Sequence, residues 1–168
     1  MLVLGFRDSD KQAAGLAAAL GKPHGSIDVH CFPDGESRVR LPTHLPDRVV
    51  FFRSLHYPNE KLLEVMLAAE SARTLGAREV TLVAPYLCYM RQDKAFHPGE
   101  AVSQRIVGRF LAGLFDALVT VDPHLHRYAS LDEIYSIPAR AVQAAPAIAG
   151  RLRREGELLL VGPDAESA

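Results

Sequence analysis

In EVTLVAPYLCYMRQDK, residues 79–94, a run that is apolar almost to Leu87 gives way within a few residues to Arg91, Gln92, Asp93 and Lys94. A short Val- and Leu-rich run of this kind suits a strand buried on both faces, and such strands belong to parallel sheets covered by helices. The polar end then falls at the carboxyl end of a strand, where open α/β sheets place their ligands. Taken alone, RQDK reads equally as a strand-to-helix loop coming to the surface.

Working outward, further strand-like runs occur at LVLGF (2–6), IDVHCF (27–32), SRVRL (37–41), RVVFFRS (48–54), ALVTVD (117–122) and ELLLVG (157–162). Helical spacing runs from Asn59 to Leu75 through Leu62, Met66, Ala69 and Ala72, with Gly76 as a stop. The same spacing recurs from Glu100 to Leu114 through Val102, Ile106, Phe110 and Leu114, and an alanine-rich helix is predicted over Ala139–Glu155. Strands alternating with helices predict an α/β domain with a mostly parallel sheet and helices on both faces. The rhythm breaks between Ile27 and Ser54, where three strand-like runs follow one another around Pro33-Asp34-Gly35 and Pro42–Pro46. That pattern predicts a β-hairpin flap added to the body. Residues 1–150 are expected to form one domain, and 151–168 the truncated start of a second.

The chain has 168 residues, 48% of them apolar, and a formal net charge of -1. A core of ordinary size follows, whereas a global electrostatic attraction to nucleic acid or to an anionic membrane does not. The start MLVLGFRDSDK is too short and wrongly flanked for a signal peptide, so an intracellular, cytoplasmic protein is expected. Cys31 and Cys88 lie among apolar and aromatic neighbours without metal or disulfide spacing, and both are expected to be buried free thiols.

Besides RQDK, three polar clusters carry possible chemistry. DPHLHR places Asp122, His124, His126 and Arg127 directly after ALVTV, and Asp122 with the two imidazoles could hold a divalent ion. Magnesium takes mostly oxygen ligands and suits such a loop only as an ATP-bound ion, while zinc wants a fuller His/Cys set. PDAES places Asp164 after LLLVG, where it reads as a metal ligand or as a helix N-cap. FPDGES, residues 32–37, is a turn sequence first, with Gly35 free to take positive φ, but it also gathers Phe32, Asp34 and Glu36 at one exposed tip. No Walker A, G-x-G-x-x-G or G-x-S-x-G motif is present.

In this order and spacing, FPDGE, PYxxYxRQDK with FxPGExxS behind it, VDPH and VGPDAES make the chain resemble ribose-phosphate diphosphokinase, also called phosphoribosyl pyrophosphate synthetase, from about Phe6 to the end. The resemblance implies a phosphoribosyltransferase-type fold and transfer of the diphosphoryl group of ATP to ribose 5-phosphate, giving phosphoribosyl pyrophosphate and AMP with Mg2+. It further implies that Arg91 and Gln92 contact ATP with Asp93 beside them, and that Phe32, Asp34, Gly35 and Glu36 form the adenine site. In this family that flap comes from a neighbouring subunit, so a homo-oligomer is expected. His124 and Asp164 would bind magnesium. The family's catalytic lysine and its ribose-5-phosphate loop are expected beyond residue 168. Glu166 and Ser167 depart from the family's usual small residues, and His126 and Arg127 enrich the DPH loop. A noncatalytic relative that assembles with active synthetases is the alternative reading.

Overall fold

In the computed structural model the described residues are 1–153 with Glu155, Leu159 and Val161. The expected strand at 157–162 falls largely outside them, and Asp164, Glu166 and Ser167 lie wholly outside. The chain runs β1 (Leu2–Phe6), α1 (Asp10–Ala19), β2 (His24–Cys31), β3 (Ser37–Arg40), β4 (Arg48–Phe52), α2 (Pro58–Thr74), β5 (Glu79–Ala84), α3 (Ser103–Leu114), β6 (Ala117–Val121), β7 (Ala139–Val142) and α4 (Ala145–Leu152). The strands form one sheet in the order β3-β2-β1-β4-β5-β6-β7. Every neighbouring pair is parallel except the β2–β3 hairpin, in which Asp28 faces Arg40 and Cys31 faces Ser37.

From β1 the chain moves one way along the sheet to β2, and from β4 it moves the other way to β5 and β6. Right-handed crossovers then force α1 onto one face and α2 and α3 onto the other. The core divides accordingly. Ala13 and Ala17 of α1 pack on Val3, Val50 and Phe52, while Val65, Ala68, Ala69 and Ala72 of α2 and Leu111 of α3 pack with Leu4, Phe51, Leu82 and Leu118. Phe51 is fully buried, with the rings of Phe6 and Phe115 edge-on to it at 6.1 Å each. Burying such a side chain contributes roughly 1.5–3 kcal/mol. The direction reverses between β1 and β4, which places a crevice at their carboxyl ends.

The structure departs from the sequence expectations in five places. Helix α1 was not anticipated, and neither was β7. The alanine-rich 139–155 segment divides into β7, parallel to β6 over Leu118–Val121, and a short α4 with a proline in its first turn. Pro138 pushes the preceding Ile137 away from helical backbone, and pairing with β6 holds the residues that follow as a strand. In α2 the buried face is Glu64, Val65, Ala68, Ala69 and Ala72, with Leu62 and Met66 flanking it half-buried, because small alanines let the helix approach the sheet closely. In α3 the buried line is Gln104, Gly108 and Leu111, while Ile106 is exposed. Gly108 faces Ile134 so closely that a Cβ would come within 3.0 Å of its side chain, which sets the rotation of the helix. Finally, Cys88 is buried but Cys31, at the hairpin, is exposed.

Gly5 in β1 shows how tightly α1 sits. A Cβ there would lie 2.7 Å from Ala13 Cβ and 2.9 Å from Asp10 Cα, so relief requires moving backbone. Gly5→Ala is expected to destabilise the domain by about 1–3 kcal/mol, the usual cost of overpacking. An unchanged urea unfolding midpoint would contradict this account of the β1–α1 contact.

Charges line the crevice between β1 and β4, where a cavity of about 440 Å3 opens beside Phe6, Asp8, Arg53 and Glu64. Arg53, directly after β4, is buried against Phe6, with its guanidinium carbon 4.2 Å from the ring centroid. Its Nη2 pairs with the buried Glu64 of α2, and its Nε lies 3.6 Å from Asp8 Oδ1. Lys61 Nζ lies 2.6 Å from Asp8 Oδ2 and donates to the Ser54 carbonyl at 2.9 Å. At the outer edge, Asp28 on β2 pairs with Arg38 and Arg40 on β3, at 3.3 and 3.2 Å.

Candidate functional site

Strands β5 and β6 are adjacent and parallel, with Ala84 opposite Thr120, so the loops that follow them leave the sheet side by side. Between these loops lies a cavity of about 620 Å3 lined by Tyr86–Leu87, Tyr89–Gln92 and Val121–Leu125. The volume is in the range of small-molecule sites. RQDK and DPHLHR, far apart in the chain, are therefore opposite walls of one cleft.

Each wall is held from behind. Gln92 ties the first loop to the start of α3, where its Oε1 accepts the Ser103 hydroxyl at 2.7 Å and its carbonyl accepts the Gln104 N–H at 3.2 Å. The buried Gln104 in turn donates from Nε2 to the Met90 carbonyl at 3.1 Å. These bonds use the Gln92 carbonyl and Oε1, and its side-chain NH2 has no partner among the described residues where Gln92 lines the cleft. Arg91 is exposed, and no hydrogen-bond or ion-pair partner for its guanidinium occurs among the described residues. Asp93 turns the other way. Its side chain is 6% exposed and lies 3.3 Å from Arg127 Nε and 4.0 Å from His126 Nδ1.

On the second wall, Asp122 adopts φ 40°, a left-handed conformation that Asp tolerates better than most residues. Its N–H donates to the Val142 carbonyl at 3.0 Å, and its Oδ2 accepts the Ala144 N–H at 3.1 Å. The kink turns His124 toward the cleft lining. The His124 and His126 rings stack 5.8 Å apart at 15°. Among the described residues no group of three or more His, Cys, Asp or Glu side chains converges as a metal cage. One imidazole beside one carboxylate is a donor set that fits magnesium only when phosphate oxygens and water complete its shell.

Neighbouring groups frame the cleft. Tyr86 and Tyr89 also line a second cavity of about 590 Å3, shared with His56, Tyr57, Asn59 and Cys88, and the Tyr89 hydroxyl donates to Asn59 Oδ1. Burial pushes the Cys88 thiol up to about 11, so it stays protonated at neutral pH and is not a nucleophile. Behind Lys94, the Glu100 carboxyl is held below its usual range first by the His97 side chain and then by the Phe96 N–H, at 2.6 and 2.8 Å. Glu100 thereby closes the 96–100 turn.

The flap stands apart. In the turn joining β2 and β3, the Phe32 N–H donates to the Glu36 carbonyl and the Gly35 N–H to the Phe32 carbonyl, at 2.8 and 2.9 Å. Gly35 takes φ 91°, and Asp34 Oδ1 accepts the Glu36 N–H at 3.1 Å. Phe32 is 42% exposed, edge-on to His30 at 4.8 Å. The tip shares the carboxyl edge of the sheet with the cleft, but β1 and β4 lie between β2 and β5. At about 4.8 Å per strand that separates them by roughly 14 Å at the sheet, and no residue of the tip lines the cleft.

Sequence reading passed over the Asp8–Arg53–Lys61–Glu64 cluster. Its signal was the charge that ends VVFF at Arg53, the same apolar-to-cationic switch that drew attention to Arg91.

A family model described as the N-terminal domain of ribose phosphate pyrophosphokinase matches residues 1–114. The chain is 39% identical over 168 residues to the ribose-phosphate pyrophosphokinase of Methanopyrus kandleri, covering 98% of this chain and 57% of that protein. It is 34% identical over 165 residues to the enzyme of that name from Methanothermobacter thermautotrophicus, covering 97% and 57%. The corresponding figures for Halobacterium salinarum are 38% over 152 residues, 90% and 53%. The chain thus spans little more than half the length of the curated relatives it matches. Among solved structures, a phosphoribosylpyrophosphate synthetase from Mycobacterium smegmatis has the same fold, with a TM-score of 0.74 at 23% identity over 91% of this chain and 52% of that one.

Proposed function

The chain belongs to the family of ribose phosphate pyrophosphokinase N-terminal domains, and from that membership we propose that it carries the ATP half-site of a ribose-phosphate diphosphokinase. The reaction moves the β,γ-diphosphoryl group of ATP to the anomeric hydroxyl of ribose 5-phosphate. The hydroxyl oxygen bonds to the β-phosphorus and gives up its proton to solvent, while the bond from that phosphorus to the α,β-bridging oxygen breaks and the oxygen leaves with AMP. The observation that carries this reading is the cleft whose one wall offers the Arg91 guanidinium and the Gln92 NH2, neither with a partner among the described residues, and whose other wall offers His124.

Such a transfer asks the protein for alignment and charge neutralisation more than for covalent chemistry. The planar Arg91 fork can donate two hydrogen bonds to phosphate oxygens. Gln92, fixed through Ser103 on α3, can donate to the nucleotide from a preset position. His124, with Asp164, would hold magnesium borne by the nucleotide, and the ion would neutralise charge on the phosphates. The separation of flap and cleft within one chain supports an adenine site completed by a second copy. There Phe32 would stack on the base, with Asp34 Oδ2 and the Glu36 carboxylate as acceptors for its amino group beside Gly35. The chain would then work as a homo-oligomer.

Residues from about 151 onward would open a second, similar domain bearing the ribose-5-phosphate site and the catalytic lysine. The length of the curated relatives favours this division. No described helix is long and apolar enough to cross a membrane, which suits a cytoplasmic enzyme of nucleotide biosynthesis.

Full-length protein incubated with ATP, magnesium and ribose 5-phosphate should release AMP and phosphoribosyl pyrophosphate in equal amounts. Release of ADP would overturn the assignment, and ATP binding without turnover would favour a noncatalytic relative.

A further inference from the structure

We infer that Asp93 and Arg127 are a positioning pair that sets the spacing of the two cleft walls, Asp93 acting through Arg127 and not by touching the nucleotide. This rests on reading the cleft as the ATP site. Asp93 follows Arg91 and Gln92 directly, yet those two line the cleft and Asp93 does not. Its side chain is 6% exposed, and both side chains it meets, Arg127 at 3.3 Å and His126 at 4.0 Å, come from the opposite loop. The same Oδ2 faces both.

The geometry makes a short bridge behind the cleft. On one side Asp93 is fixed by Gln92, whose carbonyl and side chain are bonded to Gln104 and Ser103 of α3. On the other, Arg127 lies three residues beyond His124, and the His126 ring that faces Asp93 stacks on the His124 ring. Next along the loop, the Tyr128 hydroxyl accepts Arg105 Nε of α3 at 3.0 Å. Both walls are thus referred to the same helix, with the ion pair as the link nearest the cleft. Arg127 is 42% exposed, but the Asp93 carboxylate is not, and a desolvated carboxylate resists losing its partner more than one in a fully exposed pair does. Phosphoryl transfer needs reacting atoms aligned to within about 1 Å, and misplacement by that much costs on the order of 10²-fold in rate.

Three variants of the full-length protein test this: Arg127→Leu, Arg127→Lys and the double variant Asp93→Asn/Arg127→Leu. Arg127→Leu should lower kcat for AMP formation by about 10- to 100-fold, with KM for ATP changed far less because Arg91 and Gln92 remain. Arg127→Lys, which keeps the charge, should recover most of the rate. The double variant removes the orphaned charge, so its Tm should return toward wild type while kcat stays low. Recovery of kcat together with Tm would show a merely structural pair and overturn the inference. A readout independent of catalysis is amide hydrogen exchange over residues 122–126, which should quicken in Arg127→Leu and in the double variant. Unchanged exchange there would also overturn it. Release of ADP by the wild type would instead remove the diphosphokinase reading and leave the pair to be decided by exchange alone.

Discussion

Replacing Glu64 with alanine should cost the domain about 3–5 kcal/mol, the range for breaking a buried ion pair from one side. Glu64 and Arg53 are 4% and 6% exposed, and they pair directly where α2 crosses the end of β4. Without Glu64 the guanidinium stays over the Phe6 ring, and among the described residues only the more distant Asp8 faces it. The loss is therefore an uncompensated charge out of water as well as a missing contact. Exposed ion pairs are typically worth at most about 1 kcal/mol. The same physics predicts that Arg53→Met/Glu64→Leu is close to neutral or stabilising, since neither charge is then desolvated. Urea unfolding of the single and double variants beside the wild type reads both results. A single variant within about 1 kcal/mol of wild type would mean that the pair behaves as an exposed one.

Arg91→Ala carries the largest expected effect on activity. A charge-assisted hydrogen bond is worth about 1.5–3 kcal/mol, which corresponds to a loss of roughly 10- to 150-fold in kcat/KM or in ATP affinity. The side chain is exposed and has no partner among the described residues, so the folded state should lose nothing and Tm should not move. Arg91→Lys should restore only part of the loss, because a point charge replaces the two parallel donors of the fork. Steady-state kinetics and ATP titration of the full-length protein separate a binding effect from a rate effect. Unchanged values for both in an intact protein would remove Arg91 from the site.

The parallel body was legible because runs such as VVFF in β4 are apolar without interruption and buried throughout, as a strand covered on both faces requires. The flap was legible from Pro33-Asp34-Gly35, whose turn chemistry leaves little choice. Helix α1 was not, because in DKQAAGLAAA only Ala13 and Ala17 are buried, and so narrow an alanine seam produces no hydrophobic stripe to detect. Glu64 was invisible for the opposite reason. A charge on a helix reads as its wet face, and only the tertiary placement of Arg53 reveals that it points inward. The buried lines of α2 and α3 differ from the expected ones because Ala68 and Gly108 pack by being small, whereas hydrophobic spacing ranks residues by being large. Of the site, sequence order placed RQDK and DPH at strand ends, but their adjacency follows from β5 pairing with β6, a neighbour relation that no local pattern encodes. The inward turn of Asp93 is a contact between loops and leaves no periodic trace.

The Asp28–Arg38–Arg40 cluster bears on how copies of this chain can meet. Among the described residues strand β3 is the last in the sheet on its side and one row of its peptide groups has no ladder partner, and such a margin invites another chain to add a strand. Two guanidiniums along four residues, held in place by Asp28, make that continuation electrostatically unfavourable, since a second copy in register would bring its own arginines against them. Runaway stacking of sheets, the route to fibrillar aggregates, is discouraged at this margin, while the flap tip just beyond it remains open to side-chain contacts of defined shape.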